Sequence, residues 1–175
     1  VSLAETQAEL ARLFTQRAAR AALPEPDPEI ARYAAGLIAK RRLDVEKWLP
    51  LTAKALGPAF APQLRAALGE PPPGAKADAL ALVERLQGQP EPPWIGDLAA
   101  YEAEFLRAWV PGAHFALRRY RWPVARIADR VSAGAALDDV RPAMTLAVWV
   151  RTPGGRLVHR WRTLGRNERS ADATH

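Results

Sequence analysis

The sequence predicts an α+β protein: an N-terminal helical bundle followed by a small C-terminal antiparallel sheet domain with a short helix. Three observations predict it. Apolar residues recur at helical spacing as far as Val110. Beyond Pro111-Gly112 the period falls to two. Prolines and glycines gather between the periodic stretches, where the chain must turn. On this reading residues 1–110 form the helical bundle domain, residues 111–165 a basic β-sheet recognition domain, and residues 166–175 a polar, disordered tail.

Each element has its own reason. Ser2 and Glu5 form a capping box, and Leu3, Leu10, Leu13 and Phe14 share a helical face to about Arg20. Alternating prolines stiffen Leu23 to Pro28 as a linker. Asp27, with Pro28 at the first helical position, starts a second helix, whose apolar stripe is Ile30, Tyr33, Leu37 and Ile38. That helix ends before Pro50. Short helices over 51–56 and 60–68 are separated by Gly57-Pro58. A proline-rich loop over 71–74 precedes a helix over 75–86. Residues 94–110 form an amphipathic helix with Ile95, Leu98, Tyr101, Phe105, Leu106 and Trp109 near one face.

After residue 111 the pattern alternates. His114 to Ile127 reads as a strand bent or ended near Pro123, and residues 132–140 as a short helix or loop. Residues 145–151 and 156–164 form a hairpin around Thr152-Pro153-Gly154-Gly155. Leu146, Val148 and Val150 take one face of its first strand and Ala147, Trp149 and Arg151 the other.

Composition narrows the function. A 49% hydrophobic, 25% charged chain buries a core. No apolar run approaches the roughly 20 residues of a membrane span. The chain has no cysteine, which excludes disulfides, zinc ribbons and thiol catalysis. Val1-Ser2-Leu3-Ala4-Glu5 lacks the basic flank and apolar run of a signal peptide, so the expected location is cytoplasmic, with no membrane partner. Charge divides unevenly. Residues 1–110 hold 13 Lys+Arg against 14 Asp+Glu, net −1; residues 111–175 hold 12 Arg against 5 Asp+Glu, net +7. An arginine-only basic module invites an anionic partner: nucleic acid, a membrane surface, or an acidic peptide or protein. It is equally the composition of a module that is merely well solvated.

No catalytic constellation is visible. The histidines are His114, His159 and His175, with no metal-binding spacing. Gly154-Gly155 is a turn and not a phosphate loop, because no Lys-Ser/Thr follows. Glu102 and Glu104 lie two apart on a helix, hence on different faces, which is poor for paired acid–base work. Asp97 suits a helix start, and Asp138 and Asp139 suit a cap or turn. Were the chain to lend one residue to a shared site, His114 or His159 would be it. The positive signal is arginine interleaved with aromatics. Arg118, Arg119 and Arg121 surround Tyr120 and Trp122, while Arg151, Arg156, Arg160 and Arg162 lie beside Trp149 and Trp161. That pattern suits single-stranded nucleic acid, by stacking and phosphate contact. It suits equally an acidic peptide added as a strand to a sheet edge. In the plainest alternative the tryptophans pack the sheet onto the bundle and the arginines face water.

Four stretches in order resemble HvfC/BufC-type partner proteins. Arg41-Arg42-Leu43-Asp44-Val45-Glu46-Lys47-Trp48-Leu49-Pro50, with Leu56-Gly57 and residues 60–68, is similar to that family's helix–FP–helix–LG core. Trp94-Ile95-Gly96-Asp97-Leu98-Ala99-Ala100-Tyr101-Glu102 resembles its aromatic–x–x–Asp-Leu-Ala–x–x–Glu helix. Tyr120-Arg121-Trp122-Pro123-Val124 resembles its Arg/aromatic-Pro-Val strand, and Leu146 to Arg151 its Leu-x-Val-Trp-Arg strand. The resemblance covers about residues 30 to 164.

The resemblance implies two domains and a non-catalytic role. Such a chain would bind the leader of a ribosomally made precursor peptide and present it to a multinuclear non-haem iron oxidative enzyme. Iron would then belong to the partner enzyme, with no cofactor in this chain. The expected peptide-binding residues are Arg118, Arg119, Tyr120, Arg121, Trp122, Trp149, Arg151 and Arg160. Either the strand around 118–122 or the strand over 146–151 would supply the docking edge, and the helical bundle would carry much of the enzyme contact. The sequence ends soon after the hairpin, unlike longer members, as the shorter partner proteins do. That weakens a winged-helix DNA-binding reading, which stays second.

Overall fold

The computed structural model describes residues 28–68, 74–88, 91–109, 114–152 and 154–164. The expected first helix, its linker, the boundary at 111–112 and the tail lie outside the described residues. Those described form six α-helices, one 3-10 turn and a three-stranded antiparallel sheet, an α+β arrangement.

The helices are α1 (Pro28–Trp48), α2 (Pro50–Leu56), α3 (Phe60–Ala67), α4 (Ala75–Gln87), α5 (Ile95–Ala108) and α6 (Val124–Ala133), with a 3-10 turn at Gly57–Ala59 between α2 and α3. The strands are β1 (His114–Tyr120), β2 (Met144–Arg151) and β3 (Leu157–Leu164). Five of the helices fall close to their expected positions. Pro50 takes the first position of α2, where its missing N–H costs nothing.

One cluster of buried apolar residues runs from Val45 and Leu49 through α4 and α5 to Val124, Ile127 and Trp149. Helix α5 is its spine. Ile95, Leu98, Tyr101 and Leu106 are buried as the periodicity predicts, whereas Phe105 and Trp109 stay exposed. Gly96 allows the start of α5 to cross the end of α4. A Cβ there would lie 2.8 Å from the Leu86 carbonyl oxygen, a backbone atom that cannot swing aside.

Two buried carboxylates tie the helices. Asp78 on α4 receives both Nε (2.9 Å) and Nη2 (2.6 Å) of Arg41 on α1. Glu102 on α5 accepts the Leu51 and Thr52 backbone N–H groups, each at 2.7 Å, and the Thr52 hydroxyl at 2.6 Å. It thus satisfies the free donors at the N-terminus of α2, which has no side-chain cap of its own. Burial pushes the Glu102 carboxyl above its usual range, and these three hydrogen bonds pull the other way.

In the sheet, β2 lies between β1 and β3. Ala116 pairs with Trp149, which pairs with His159; Leu117 pairs with Val148, which pairs with Arg160. The inner face carries Ala116, Tyr120, Thr145, Ala147 and Trp149, all buried. Tyr101 of α5 meets Tyr120 and Trp149 edge-on, with ring centroids 6.1 and 5.6 Å apart. The outer face carries Phe115, Leu117 and Arg119 from β1, Leu146, Val148 and Val150 from β2, and Val158, Arg160 and Arg162 from β3. The predicted division of the hairpin's faces is the observed one. Its turn closes through Gly155 N–H to Thr152 O at 2.9 Å, with Gly155 at φ 84°.

One expectation is corrected. Of the two outcomes expected for His114 to Ile127, bent or ended near Pro123, the strand is ended, but residues 124–127 are helical and not strand; of residues 132–140, the first two close that helix and the rest are turn and loop. The strand ends at Tyr120, and α6 spans Val124–Ala133. Asp97 on α5 accepts the Arg121 and Trp122 N–H groups and so ends the ladder. Pro123, at φ −75° and without a donor, stands at the N-cap of α6. Val124, Ile127, Ala128 and Val131 then fall on one buried helical face. Gly134, left-handed at φ 69°, ends the helix.

Candidate functional site

Where β1 meets the end of α4 and the middle of α5, a cleft of about 530 Å³ opens. Besides Gln87 of α4, its polar lining is Asp97, Glu104, Arg107, Arg118, Arg119 and Tyr120. Helix α5 supplies the first three, spaced so that they point into one side of the cleft; β1 supplies the others. The cleft carries three arginines against two carboxylates, and both carboxylates are committed to neighbours.

Glu104 has a side chain only 1% exposed. Its Oε1 accepts from Arg107 Nη1 at 2.5 Å and from Arg118 Nε at 2.8 Å. His114 Nε2 lies 3.8 Å from its Oε2, too far for a hydrogen bond, and neither atom has a hydrogen-bond partner among the described residues. The buried charge is thus held by two partly exposed guanidinium groups at the rim, where they also meet solvent. Asp97 accepts two backbone N–H groups through one oxygen, Oδ2, at 2.7 and 2.9 Å. Burial raises its pKa, against the pull of those two bonds and the Arg121 charge.

The expected peptide-binding residues do not form one site. Arg118, Arg119 and Tyr120 line the cleft together, with the Tyr120 ring buried in its wall. Trp122 and Trp149 are core residues; Trp149 is 0% exposed, packed between Tyr101, Phe105 and His159. Both belong to the buried core and offer no surface. Arg121 is exposed and Arg160 stands on the outer face, while Arg151 donates to the Ala108 carbonyl oxygen at 2.9 Å, joining β2 to the end of α5. The docking edge is also narrowed. Strand β2, over 146–151, is hydrogen-bonded on both sides and has no free edge, so among the described residues the edges are β1 and β3.

Sequence reasoning missed Arg107 and the in-site roles of Asp97 and Glu104. Arg107 lies three residues after Glu104, a helical ion-pair spacing that was visible. The meeting of Glu104 with Arg118 was not, since it depends on how β1 docks on α5.

His159 stacks on Trp149 at 4.9 Å, and burial pushes its pKa down to about 4, with Arg160 adding to the shift. Among the described residues no three His, Cys, Asp or Glu side chains cluster so as to hold a metal ion, and no helix is long and apolar enough to cross a membrane. Compared with known proteins, the chain matches no family model, no curated protein and no solved structure.

Proposed function

We propose that this chain is a non-catalytic partner protein that binds the leader of a ribosomally synthesised precursor peptide and presents it to a multinuclear non-haem iron oxidative enzyme. The observation that supports the reading is the placement of β1. It is an edge strand, and its Arg118 and Arg119 line a cleft with Arg107 opposite. An extended peptide added along β1 gains backbone hydrogen bonds from the edge. An acidic side chain of that peptide reaches the arginines of the cleft, whose rim charge exceeds what Glu104 neutralises. The peptide and enzyme classes rest on the four sequence stretches that resemble partner proteins.

The test is co-expression with an iron-oxidase-like protein and a short precursor encoded beside this chain, followed by binding of the synthetic leader. A stable complex and a leader that binds are expected. N-methylation of alternate leader residues should abolish binding, since it removes the donors a strand needs. Arg118→Gln, which keeps a donor for Glu104 but removes the charge, should weaken binding about tenfold. Failure of both complex formation and leader binding overturns the reading.

The net charge of +7 on residues 111–175 favours a second reading, a nucleic-acid-binding or regulatory module. It requires affinity for an oligonucleotide that falls steeply with salt, with a log–log slope close to the number of phosphates neutralised.

A further inference from the structure

The outer face of the sheet is apolar and open. Phe115 is 72% exposed and Leu117 60%, and Met144, Val150 and Leu164 are exposed as well. These are not scattered residues. The register aligns Phe115, Val150 and Val158 in one row, Leu117, Val148 and Arg160 in the next, and Arg119, Leu146 and Arg162 in a third; Met144 and Leu164 close the far end. The outer side chains of the central strand are therefore Met144, Leu146, Val148 and Val150, an unbroken apolar ridge. Arginines stand on both sides of it: Arg119 on β1, Arg160 and Arg162 on β3. No Asp or Glu occurs in any of the three strands.

We infer that this face is a docking surface for an amphipathic helix of a partner protein, with acidic residues along both flanks of its apolar stripe. The dimensions suit that occupant. The two outer strands lie two strand spacings apart, about 10 Å, and a helix is about 10 Å across. A helix laid along β2 would place its apolar stripe on the ridge, with Leu117 and Phe115 beside it. Its flanking carboxylates would then reach Arg119 on one side and Arg160 and Arg162 on the other. Charge disfavours a second copy, because two such faces would bring arginines together with no acidic side chain on any strand to meet them. A nucleic acid would satisfy the arginines but leave the aliphatic ridge against phosphate and sugar. The ridge lies on the opposite side of the sheet from α5; Arg119, at the edge of β1, borders both surfaces, and Leu117, Arg160 and Arg162 belong to this one and not to the cleft.

The test uses the full chain and three fluorescent probes. One is a helix-forming peptide of about 18 residues with a leucine stripe and glutamates on both flanks. The second is the same peptide with lysine flanks, and the third a single-stranded oligonucleotide. The glutamate peptide is expected to bind, with the lysine peptide at least about tenfold weaker. Leu117→Ser should weaken the glutamate peptide, and Arg160→Ala with Arg162→Ala should remove the preference between the peptides. Arg118→Gln, in the cleft, should leave both unchanged, which separates this surface from leader binding. All these positions are exposed, and circular dichroism checks that each variant folds. The inference is overturned if neither peptide binds, if both bind equally to the unaltered chain, or if Arg118→Gln rather than Leu117→Ser weakens binding. It is equally overturned if the oligonucleotide binds more tightly than the glutamate peptide, or if sedimentation shows a dimer that Leu117→Ser disperses.

Discussion

The two faces of the same small sheet are built on opposite rules. The inner face is aromatic and buried at its centre: Tyr120, Trp149 and His159 pack against Tyr101 and Phe105 of α5. The outer face is aliphatic and wet, with arginines at its sides. Both carry large apolar side chains, so hydrophobicity alone does not say which face holds the fold together. What differs is the covering. A side chain stabilises the fold through the area it removes from water, and Phe115 and Leu117 remove little. The inner face therefore serves stability and the outer face is available for binding.

That contrast can be broken most directly at Trp149. Trp149→Ala should cost about 3–5 kcal/mol in denaturant unfolding, because it empties the centre of the inner face. A loss comparable to that of an exposed residue would mean that the inner face is not the core. The next largest effect is one of pH. His159 is held neutral by burial, with a pKa near 4, while an unfolded histidine titrates near 6.5. Between those values the unfolded chain binds the extra proton, so stability contributed by the neutral ring is full above about pH 6.5 and falls as pH drops toward 4. Melting temperature followed from about pH 7 to 4.5 should decline, and His159→Phe, which keeps a ring on Trp149, should flatten that part of the decline.

Tyr120 sharpens the comparison at smaller scale. Its hydroxyl is buried without a hydrogen-bond partner among the described residues, and burial drives its pKa up. Tyr120→Phe should be neutral or stabilising by up to about 1 kcal/mol, because it removes an unpaired polar group and keeps the ring. A large loss would reveal a bond made by that hydroxyl. The smallest effect belongs to the outer face: Phe115→Ala should change unfolding free energy by less than about 0.5 kcal/mol. A cost near that of Trp149→Ala would show the outer face to be covered.

Local signals carried much of this architecture. The hairpin was legible because strict alternation flanks a Thr-Pro-Gly-Gly turn, and α5 because Ile95, Leu98 and Tyr101 recur at helical spacing. Helix α6 was hidden by overlap: the alternating run through Trp122 meets a proline that reads as a strand breaker. The 3.6-residue spacing of Val124, Ile127, Ala128 and Val131, followed by Gly134, was the competing signal. The site was legible only in part. Arginine and aromatic residues were visible as a group, but alternation alone does not say which face is covered. Tertiary packing sent Trp149 inward and Arg160 outward, and the same packing brought Arg118 to Glu104.

The cap on α2 bears on the order in which the chain assembles. A seven-residue helix does not persist alone in water, and the carboxylate that completes its start lies 50 residues further along the chain. During synthesis Thr52 therefore leaves the ribosome 50 residues ahead of Glu102. At about 5–20 residues per second the interval is roughly 3–10 s. Over that time Leu51 and Thr52 keep their N–H groups for water, and α2 becomes a lasting helix only when α5 arrives.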